Sequence, residues 1–412
     1  MFNNIDDAIN WLYNQKKLAK RENLDRIKRC VSELNINLDY KIIHVAGTNG
    51  KGSCCNYIKN ILKHTGKHVG MFTSPYYLFF NERIMINDRY ISNAEILSYV
   101  NYLYDYSRSY YDKYNDVIPF FELTLLMALL YFQDRKIDLA IIECGLGGRL
   151  DSTNFINSNL SIITNIGYDH MAQLGNTLEE ISSHKLGIVK ENGYLITAVD
   201  ESLMPLFSEY CNNLNAKILN VNSNVKDIKV TTKTEFNYKN NNYIVNLLGS
   251  YQAYNAALAI EAVKFIEPNI EEELIKFGLE DTKIPGRFEY VRDNVIIDGA
   301  HNISAINNLV DNIKNMYHKK LKIVFSALAD KAYDKMLKKL DEIALKYYFT
   351  TIIDTRASDV NVFKEATNIE STCFNDVNEC IDTALKELKD DELLLVTGSI
   401  HFISMVRNLI KN

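Results

Sequence analysis

The stretch from His44 to Ser53 contains the residue types best suited to binding phosphate. Glycine lets the backbone adopt positive φ and approach an anion closely, and N–H groups at the start of a helix point at phosphate oxygens. Lys51 adds a mobile positive charge. We therefore expect a loop that binds the phosphates of a nucleotide. Its residues are Gly47, Thr48, Asn49, Gly50, Lys51, Gly52 and Ser53.

The segments on either side of this loop support that interpretation. Residues 41–46 form a short apolar run that predicts a buried strand, and residues 56–62 carry apolar side chains at helical spacing. A strand, a glycine loop and a helix in this order are the context that a phosphate-binding loop requires. Gly52, however, follows Lys51 where a Ser or Thr that binds Mg²⁺ usually lies. Since Ser53 comes one place late, a magnesium ion needs a ligand from elsewhere.

Composition limits the class of protein. The 412 residues predict two or three domains, and an apolar fraction of 47% is ample for packed cores. A net charge of −6, without a long basic run, argues against a nucleic-acid surface. No apolar run approaches the ~18 residues of a membrane span, and the acidic start of the chain lacks a signal-peptide core. Seven cysteines without CxxC spacing are typical of reduced thiols, so we expect a cytoplasmic protein.

A second glycine-rich loop follows a carboxylate. Residues 138–144 are almost wholly apolar, which predicts a central strand of a parallel sheet. Glu143 lies at the end of this strand, and glycines are concentrated in residues 145–148 just after it. A carboxylate at the tip of a central strand, beside a glycine loop, suits a Mg²⁺ ligand.

Polar side chains follow two further strands. Ser74 comes just after a strand predicted over 67–72, and His170 follows one predicted over 160–165. Open α/β sheets bind ligands at the carboxyl ends of their strands. A single histidine is more often a satisfied polar residue than a ligand, but this position favours a role for His170 in the site.

Two features have more than one interpretation. Tyrosines along the helix predicted over 92–112 could form a stacking platform for a flat ligand, although a half-buried amphipathic helix is the more ordinary interpretation. Glu122 lies at the start of an apolar helix that runs to Phe132. Because an unpaired buried carboxylate is costly, Glu122 either caps the helix or touches a ligand.

The carboxyl-terminal part predicts a second α/β unit. Residues 226–248 are typical of an antiparallel hairpin, and the turn over 282–288 is the best boundary candidate. A strand over 294–298 ends in Asp298, with His301 shortly after. Strands and helices then alternate, which indicates a parallel sheet. The further helices are expected over 303–316, 331–346, 376–388 and 400–411, and the further strands near 321–326, 347–351 and 392–397.

We therefore expect an α/β protein of two domains. Residues 1–284 would form an ATP-binding domain with a parallel sheet, of the P-loop ATPase type. Residues 285–412 would form a smaller, Rossmann-like α/β domain.

The sequence resembles the folylpolyglutamate synthase/dihydrofolate synthase family, within the Mur ligase superfamily, over nearly its whole length. Several motifs in the right order are more specific than any one of them. They are His44 to Ser53, Thr73-Ser74-Pro75, Phe80-Asn81-Glu82-Arg83-Ile84, Phe121-Glu122, Glu143 to Asp151, Asp169-His170, Lys185 to Lys190, Pro285-Gly286-Arg287-Phe288-Glu289 and Asp298-Gly299-Ala300-His301-Asn302.

The resemblance implies an ATP-dependent amide ligase. In this family ATP phosphorylates a pterin-bearing acid, and the amine of L-glutamate attacks the acyl phosphate. The acid is dihydropteroate, a folate with a free γ-carboxyl, or both. A single chain of this length resembles the bacterial type that often does both, so we expect a bifunctional enzyme; a monofunctional folylpolyglutamate synthase is the alternative. We also expect a monomer without nucleic-acid or membrane partners.

By the same resemblance, Ser74, Glu143 and His170 are Mg²⁺ ligands, and Ser74 supplies the hydroxyl that Gly52 lacks. Lys185 matches the lysine that this superfamily carbamylates, which turns a cation into an anion able to bind a second Mg²⁺. The residues expected to be catalytic are Lys51, His170 and Lys185.

The resemblance also implies contacts to ATP from later in the chain. Arg287, Asp298 and His301 correspond to ATP contacts, and Asn255 corresponds to a contact on the adenine side. ATP would then lie between the domains, and its binding would bring them together.

Four positions depart from the family pattern without removing an expected ligand. Tyr76 stands where the family often has His, and His184 stands where Glu is usual, which leaves the local substrate and carbamate environments open. Tyr251 replaces a frequent His, and Ile303 replaces the usual Pro.

Three rival functions remain. A ligase acting on a peptidoglycan nucleotide would need an additional N-terminal domain, and only about forty residues precede the loop. A nucleotide-binding switch would need the loop but not the motif around Asp298 and His301. A protein that binds folate without catalysis would not need Lys51, Glu143 and Lys185 together.

Overall fold

The computed structural model describes residues 1–15, 23–329, 331–352 and 357–411. The chain divides into two compact units. The first unit consists of Met1–Ile166, His170–Ser223 and Asn255–Leu279, and the second unit of Gly167–Asp169, Asn224–Tyr254 and Glu280–Asn412.

Strands and helices alternate through most of the chain. The helices of the described residues are α1 (Ile5–Asn14), α2 (Asp25–Glu33), α3 (Lys51–Lys63), α4 (Asn93–Tyr114), α5 (Phe120–Asp134), α6 (Met171–Leu174), α7 (Leu178–Leu186), α8 (Met204–Asn213), α9 (Ser250–Ile266), α10 (Glu272–Glu280), α11 (Ile303–Met316), α12 (Tyr333–Leu340), α13 (Val360–Glu365), α14 (Val377–Glu387) and α15 (Ile400–Lys411). The strands are β1 (Lys41–Ala46), β2 (Val69–Phe72), β3 (Ile84–Ile86), β4 (Arg89–Tyr90), β5 (Leu139–Glu143), β6 (Leu160–Ile163), β7 (Tyr194–Thr197), β8 (Lys217–Asn220), β9 (Val225–Val230), β10 (Thr234–Tyr238), β11 (Asn241–Val245), β12 (Glu289–Arg292), β13 (Val295–Ile297), β14 (Leu321–Phe325), β15 (Ala344–Thr350), β16 (Ser371–Phe374) and β17 (Leu394–Thr397).

The first unit is built on an eight-stranded sheet with the order β4-β3-β2-β5-β1-β6-β7-β8. Strands β2, β5, β1, β6, β7 and β8 are parallel to one another. Strands β3 and β4 extend the sheet beyond β2 as an antiparallel edge. Val45 on β1 pairs with Glu143 on β5 and with Ile162 on β6. The parallel sheet expected here is confirmed, and the carboxyl ends of β1, β5 and β6 meet at one edge.

The burial of α5 and α4 shows how two aromatic and apolar stretches of the sequence are used. Residues 121–132 of α5 are all buried, which accounts for a helix that is apolar on every face. On α4, Tyr110 is buried whereas Tyr102 and Tyr111 are exposed, so the tyrosine-rich segment is an amphipathic helix. The sequence also predicts helices over residues 5–35, and residues 16–22 of that stretch lie outside the described residues.

The described residues of the second unit form two sheets. Strands β9, β10 and β11 form an antiparallel sheet, one strand more than the expected hairpin. The larger sheet has the order β12-β13-β17-β14-β15-β16 and is parallel except at β12. The alternation of strands and helices predicted after residue 285 is therefore confirmed.

The predicted helix over 331–346 is too long. α12 ends at Leu340, and residues 344–350 form β15 instead. β15 pairs with both β14 and β16, and this long-range pairing overrides the local helical preference.

The domain boundary between residues 284 and 285 stays a prediction. Contacts group Asn224–Tyr254 with the carboxyl-terminal residues.

Among the described residues, no helix is both long enough and apolar enough to cross a membrane.

Candidate active site

The glycine loop joins β1 to α3 as the sequence predicts. Gly47 has a φ of +151°, and Gly50, which precedes the first residue of α3, has a φ of +83°. A Cβ at Gly47 would lie 1.8 Å from Oγ1 of Thr164, and one at Gly50 would lie 2.4 Å from Oδ1 of Asn255. Only glycine fits either position, so the loop keeps a narrow cradle that exposes backbone N–H groups at the start of α3.

The end of β6 holds the loop in place. Oγ1 of Thr164 donates a hydrogen bond of 2.6 Å to the carbonyl of Asn49. Asn165 accepts two bonds, one at its side-chain oxygen from Asn49 N (2.9 Å) and one at its carbonyl from Thr48 N (3.1 Å). In the sequence, Thr164 and Asn165 are recognisable only as two polar residues at the end of a strand. The order of the strands in the sheet is what places them against the glycine loop.

Two lysines approach the loop from different helices. Nζ of Lys51 donates to the carbonyls of Gly47 (3.0 Å) and Thr48 (3.3 Å). Nζ of Lys185, near the end of α7, also donates to Gly47 O at 3.0 Å, although its side chain is buried. Two cations on one loop make it a favourable place for the negative charge of phosphate.

Of the predicted metal ligands, the structure brings Glu143 and Ser74 together. Glu143 is buried, and its Oε2 accepts a hydrogen bond of 3.2 Å from the backbone N of Ser74. The same oxygen lies 4.0 Å from the position of a Cβ on Gly52, so the carboxylate sits beside the first turn of α3. Carboxylate oxygens are ligands that Mg²⁺ prefers, and the buried Glu143 is such a donor; its role as a metal ligand together with the Ser74 hydroxyl stays a prediction.

His170 directly precedes α6, in the left-handed conformation with a φ of +51° and an exposed side chain. Within the described residues, no three His, Cys, Asp or Glu side chains form a group that could hold a metal ion. The full ligand set of Ser74, Glu143, His170 and Lys185 therefore stays a prediction.

Asp298 organises the predicted nucleotide contacts of the second unit. Its buried carboxylate accepts hydrogen bonds from Phe288 N (2.8 Å) and Ala300 N (2.9 Å). Burial raises the pKa of Asp298, while the charge of Arg287 and these two bonds oppose the rise. Arg287 also lines a cavity of about 990 Å³ within this unit. One carboxylate thus fixes the backbone next to Arg287 and the backbone next to His301.

A second acidic residue gathers side chains around His301. Asp169 accepts hydrogen bonds from Nζ of Lys331 (2.7 Å) and Nδ2 of Asn302 (3.0 Å), and Nε2 of His301 lies 3.8 Å from its Oδ2. Burial lowers the pKa of His301 to about 4, so the imidazole is neutral near pH 7. Sequence reasoning missed Lys331, because nothing in its local pattern relates it to Asp169.

Glu122 has a partner that neither sequence interpretation named. Its carboxylate accepts two hydrogen bonds from Arg26, at 2.7 and 3.0 Å, and one from Oγ of Ser152 at 3.0 Å. A bidentate ion pair between an arginine and a carboxylate is a strong interaction. Glu122 therefore ties α5 to α2.

Two family models match the chain, the Mur ligase middle domain over residues 45–263 and the glutamate ligase domain of Mur ligases over residues 286–400. The sequence is 34% identical to a dihydrofolate synthase/folylpolyglutamate synthase of Bacillus subtilis (strain 168), with 100% of each chain covered. This chain belongs to the dihydrofolate synthase/folylpolyglutamate synthase family.

Solved structures of the family share the fold. The structure of E. coli FolC in complex with DHPP and ADP gives a TM-score of 0.88 at 25% identity, covering 99% of this chain and 98% of that one. A bifunctional folylpolyglutamate synthase/dihydrofolate synthase with Mn, AMPPNP and L-glutamate bound gives 0.87 at 25% identity, covering 100% and 98%. These matches cover nearly the whole of this chain, so the α/β fold predicted from the sequence is confirmed.

Proposed function

We propose that this chain is an ATP-dependent amide ligase that adds L-glutamate to dihydropteroate and to the γ-carboxyl of folates through an acyl phosphate. The observation that carries the proposal is the loop at Gly47, where two lysines and the start of α3 converge. Relatives support the substrates: one is named for both activities, and others bind ADP with DHPP, or AMPPNP with L-glutamate.

In this proposal the loop binds the phosphates of ATP. The N–H groups at the start of α3 donate to phosphate oxygens, and Nζ of Lys51 moves from the carbonyls of Gly47 and Thr48 onto phosphate. Charge builds up on the transferred phosphoryl oxygens, so fixed cations and N–H donors stabilise the transition state. The cradle at Gly47 and Gly50 lets the backbone approach the phosphates closely.

A divalent cation, when bound, would neutralise phosphate charge and orient the transferred group. Glu143 and Ser74 would hold it from the ends of β5 and β2, with His170 as a further ligand. We infer that Lys185 is carbamylated and binds a second Mg²⁺. Its burial beside Gly47 O supports this inference, because desolvation favours the neutral amine that reacts with CO₂.

The remaining nucleotide contacts are proposed from the second unit and α9. Arg287 and His301 would contact ATP from positions that Asp298 fixes, and Asn255 would act on the adenine side. In the structure Asn255 also lies against Gly50. We further infer a monomer in the cytoplasm, where seven free cysteines, six of them buried, stay reduced.

Which acid is used depends on the pocket for the pterin, because the phosphate and metal groups act alike on both. The loop after Ser74 and the start of α5 at Phe121 are the proposed walls of that pocket.

The test uses purified protein with ATP, Mg²⁺ and L-glutamate, given dihydropteroate and tetrahydrofolate in separate reactions. ADP and the new amide are both measured, and we expect both products with each acid. Amide from tetrahydrofolate alone would reduce the function to a folylpolyglutamate synthase. No glutamate-dependent product from either acid would overturn the proposal.

A further inference from the structure

The end of α7, which carries Lys185, lies against the second glycine loop. The backbone N of Arg149 donates a hydrogen bond of 2.6 Å to the carbonyl of His184, the residue before Lys185. A Cβ at Gly148 would lie 2.7 Å from the carbonyl oxygen of His184 and 2.9 Å from that of Lys185, so a side chain there would push the two segments apart. Since the loop begins directly after Glu143, it connects the predicted Mg²⁺ ligand with the end of α7.

Asn154 bridges this loop and the residues beyond Lys185. It lies on a short 3-10 helix (Ser152–Phe155), and its Nδ2 donates to the carbonyls of Arg149 (3.1 Å) and Gly187 (2.9 Å). Gly187 is the residue that follows α7. An asparagine amide has two N–H groups, and each of them is used here on one of the two segments.

Lys190 determines which way this amide faces. Its Nζ donates to both oxygens of Asn154, to Oδ1 at 2.8 Å and to the backbone carbonyl at 3.0 Å. A lysine ammonium can only donate hydrogen bonds, so Oδ1 must face Lys190 and Nδ2 must face the two carbonyls. We call Asn154 and Lys190 the amide clamp.

The backbone is held on both sides of Lys185. Arg149 N holds the carbonyl of His184, and the amide clamp holds that of Gly187. From this position Nζ of Lys185 reaches the carbonyl of Gly47 at 3.0 Å. Metal-binding side chains depend on such surrounding contacts, whose loss typically costs about 10- to 100-fold in metal affinity or activity.

We propose that Asn154 and Lys190 are positioning residues for Lys185, which they hold where its carbamate can bind a cation beside the phosphate loop. This inference rests on the proposed function and adds two residues that act on the reaction without touching the substrate. Carbamylation adds CO₂ to the neutral amine of Lys185 and releases one proton, so a cation becomes an anion. An anion out of place would repel phosphate instead of binding the cation that neutralises it, and its placement is therefore critical.

A purely structural clamp would change stability alone. Its loss would lower the free energy of unfolding, and the protein that remains folded would keep its carbamate and its kcat. A positioning role instead lowers carbamate occupancy and kcat in folded protein, while the KM for ATP changes little.

The experiment compares the wild type with Asn154→Asp, Lys190→Met and Lys190→Arg. Asn154→Asp keeps an acceptor for Lys190 but turns an oxygen toward the carbonyls of Arg149 and Gly187, so it removes only the bonds to these two carbonyls. Lys190→Met removes the donor that orients the amide, and Lys190→Arg keeps one. If Lys190→Met does not fold, Asn154→Asp, which changes a single group, decides.

Lys41→Met is the matched control. Nζ of Lys41 also donates to a backbone carbonyl of the first unit, that of Ile266, at 3.2 Å. Each protein is titrated with ¹³C-labelled bicarbonate in the presence of Mg²⁺, and the carbamate carbon signal gives the concentration for half-occupancy. The kcat with dihydropteroate, the KM for ATP and thermal stability are measured on the same samples.

We expect half-occupancy to require at least about tenfold more bicarbonate in Asn154→Asp and Lys190→Met, and kcat to fall about 10- to 100-fold. Lys190→Arg and Lys41→Met should stay close to the wild type. If folded Asn154→Asp keeps the wild-type signal and kcat, this inference alone fails and the proposed function stands. A wild type that forms product without a carbamate signal would overturn the inference together with the modification of Lys185. A wild type that forms no glutamate-dependent product would overturn the proposed function and this inference with it.

Discussion

Lys51 and Lys185 donate to the same atom, the carbonyl oxygen of Gly47, each at 3.0 Å. One lysine comes from the start of α3 and the other from near the end of α7. Two ammonium groups on one oxygen repel each other, and this repulsion is relieved when either group gains an anion. We therefore expect different roles for the two lysines: Lys51 binds phosphate, and Lys185 becomes a carbamate.

Lys51 should be required for phosphoryl transfer but not for folding. We expect Lys51→Ala to lose ATP-dependent ligation by at least about 100-fold, because one cation on the transferred phosphate is lost. Its thermal stability should stay within about 0.5 kcal/mol, since a partly exposed lysine at the start of a helix contributes little. Steady-state kinetics and thermal unfolding measure both effects, with the exposed Lys233→Ala as a control. Turnover near that of the wild type would refute the assignment of this loop.

Lys185 should carry a carbamate. We expect Lys185→Ala to lose most activity, and small carboxylic acids to restore part of it by standing in for the missing anion. Protein incubated with ¹³C-labelled bicarbonate and Mg²⁺ should show a carbamate carbon signal that is absent in Lys185→Ala. Clear density for an unmodified ammonium, in crystals grown with bicarbonate and Mg²⁺, would count strongly against the modification.

Local sequence patterns predict the elements of the site well. β1 over 41–46 and α11 over 303–316 are found where the apolar patterns indicate them. In both cases the signal is local. β1 is a continuous apolar and buried run that ends just before Gly47, and α11 buries residues at helical spacing after a capping side chain. Asn302, for example, caps α11 by accepting a hydrogen bond from Ala305 N.

The contacts that set the chemistry could not be predicted in the same way. Asp169 and Lys331 are far apart in sequence, and only the fold of the second unit brings them within 2.7 Å. Arg83 lies in a recognisable motif, yet only the surrounding structure shows that no described residue forms an ion pair with it. Local propensity does not encode which side chains meet across a sheet or remain unpaired.

Asp298 should act on nucleotide binding through the backbone it holds. We expect Asp298→Asn to raise the KM for ATP about tenfold, because an amide cannot accept hydrogen bonds at both positions that the carboxylate uses. The KM for the acid substrate should change much less. Asp293→Asn, at an exposed position near the same strands, controls for the loss of charge. An unchanged KM for ATP in Asp298→Asn would show that Arg287 and His301 do not need this carboxylate to use ATP.

His44 should make stability depend on pH. It is buried on β1, with Nε2 at 2.8 Å from Oγ1 of Thr153 and 3.1 Å from Sγ of Cys144. Its Nδ1 has no partner among the described residues. Burial, and secondarily the charge of Lys190, lowers the pKa of His44 from 6.5 to about 3. The folded protein therefore keeps His44 neutral under conditions in which the unfolded chain binds a proton.

The sign of the effect follows from that depressed pKa. The stability that His44 contributes is fully present above pH 6.5 and is lost as the pH falls toward the folded pKa of about 3. One proton taken up on unfolding lowers the free energy of unfolding by up to about 1.4 kcal/mol per pH unit within this window. Chemical denaturation at a series of pH values between about 7.5 and 4.5 measures the slope. His44→Gln should show a shallower slope than the wild type, whereas the exposed His318→Gln should not. If His44→Gln and the wild type lose stability in parallel, His44 is not the group that takes up the proton.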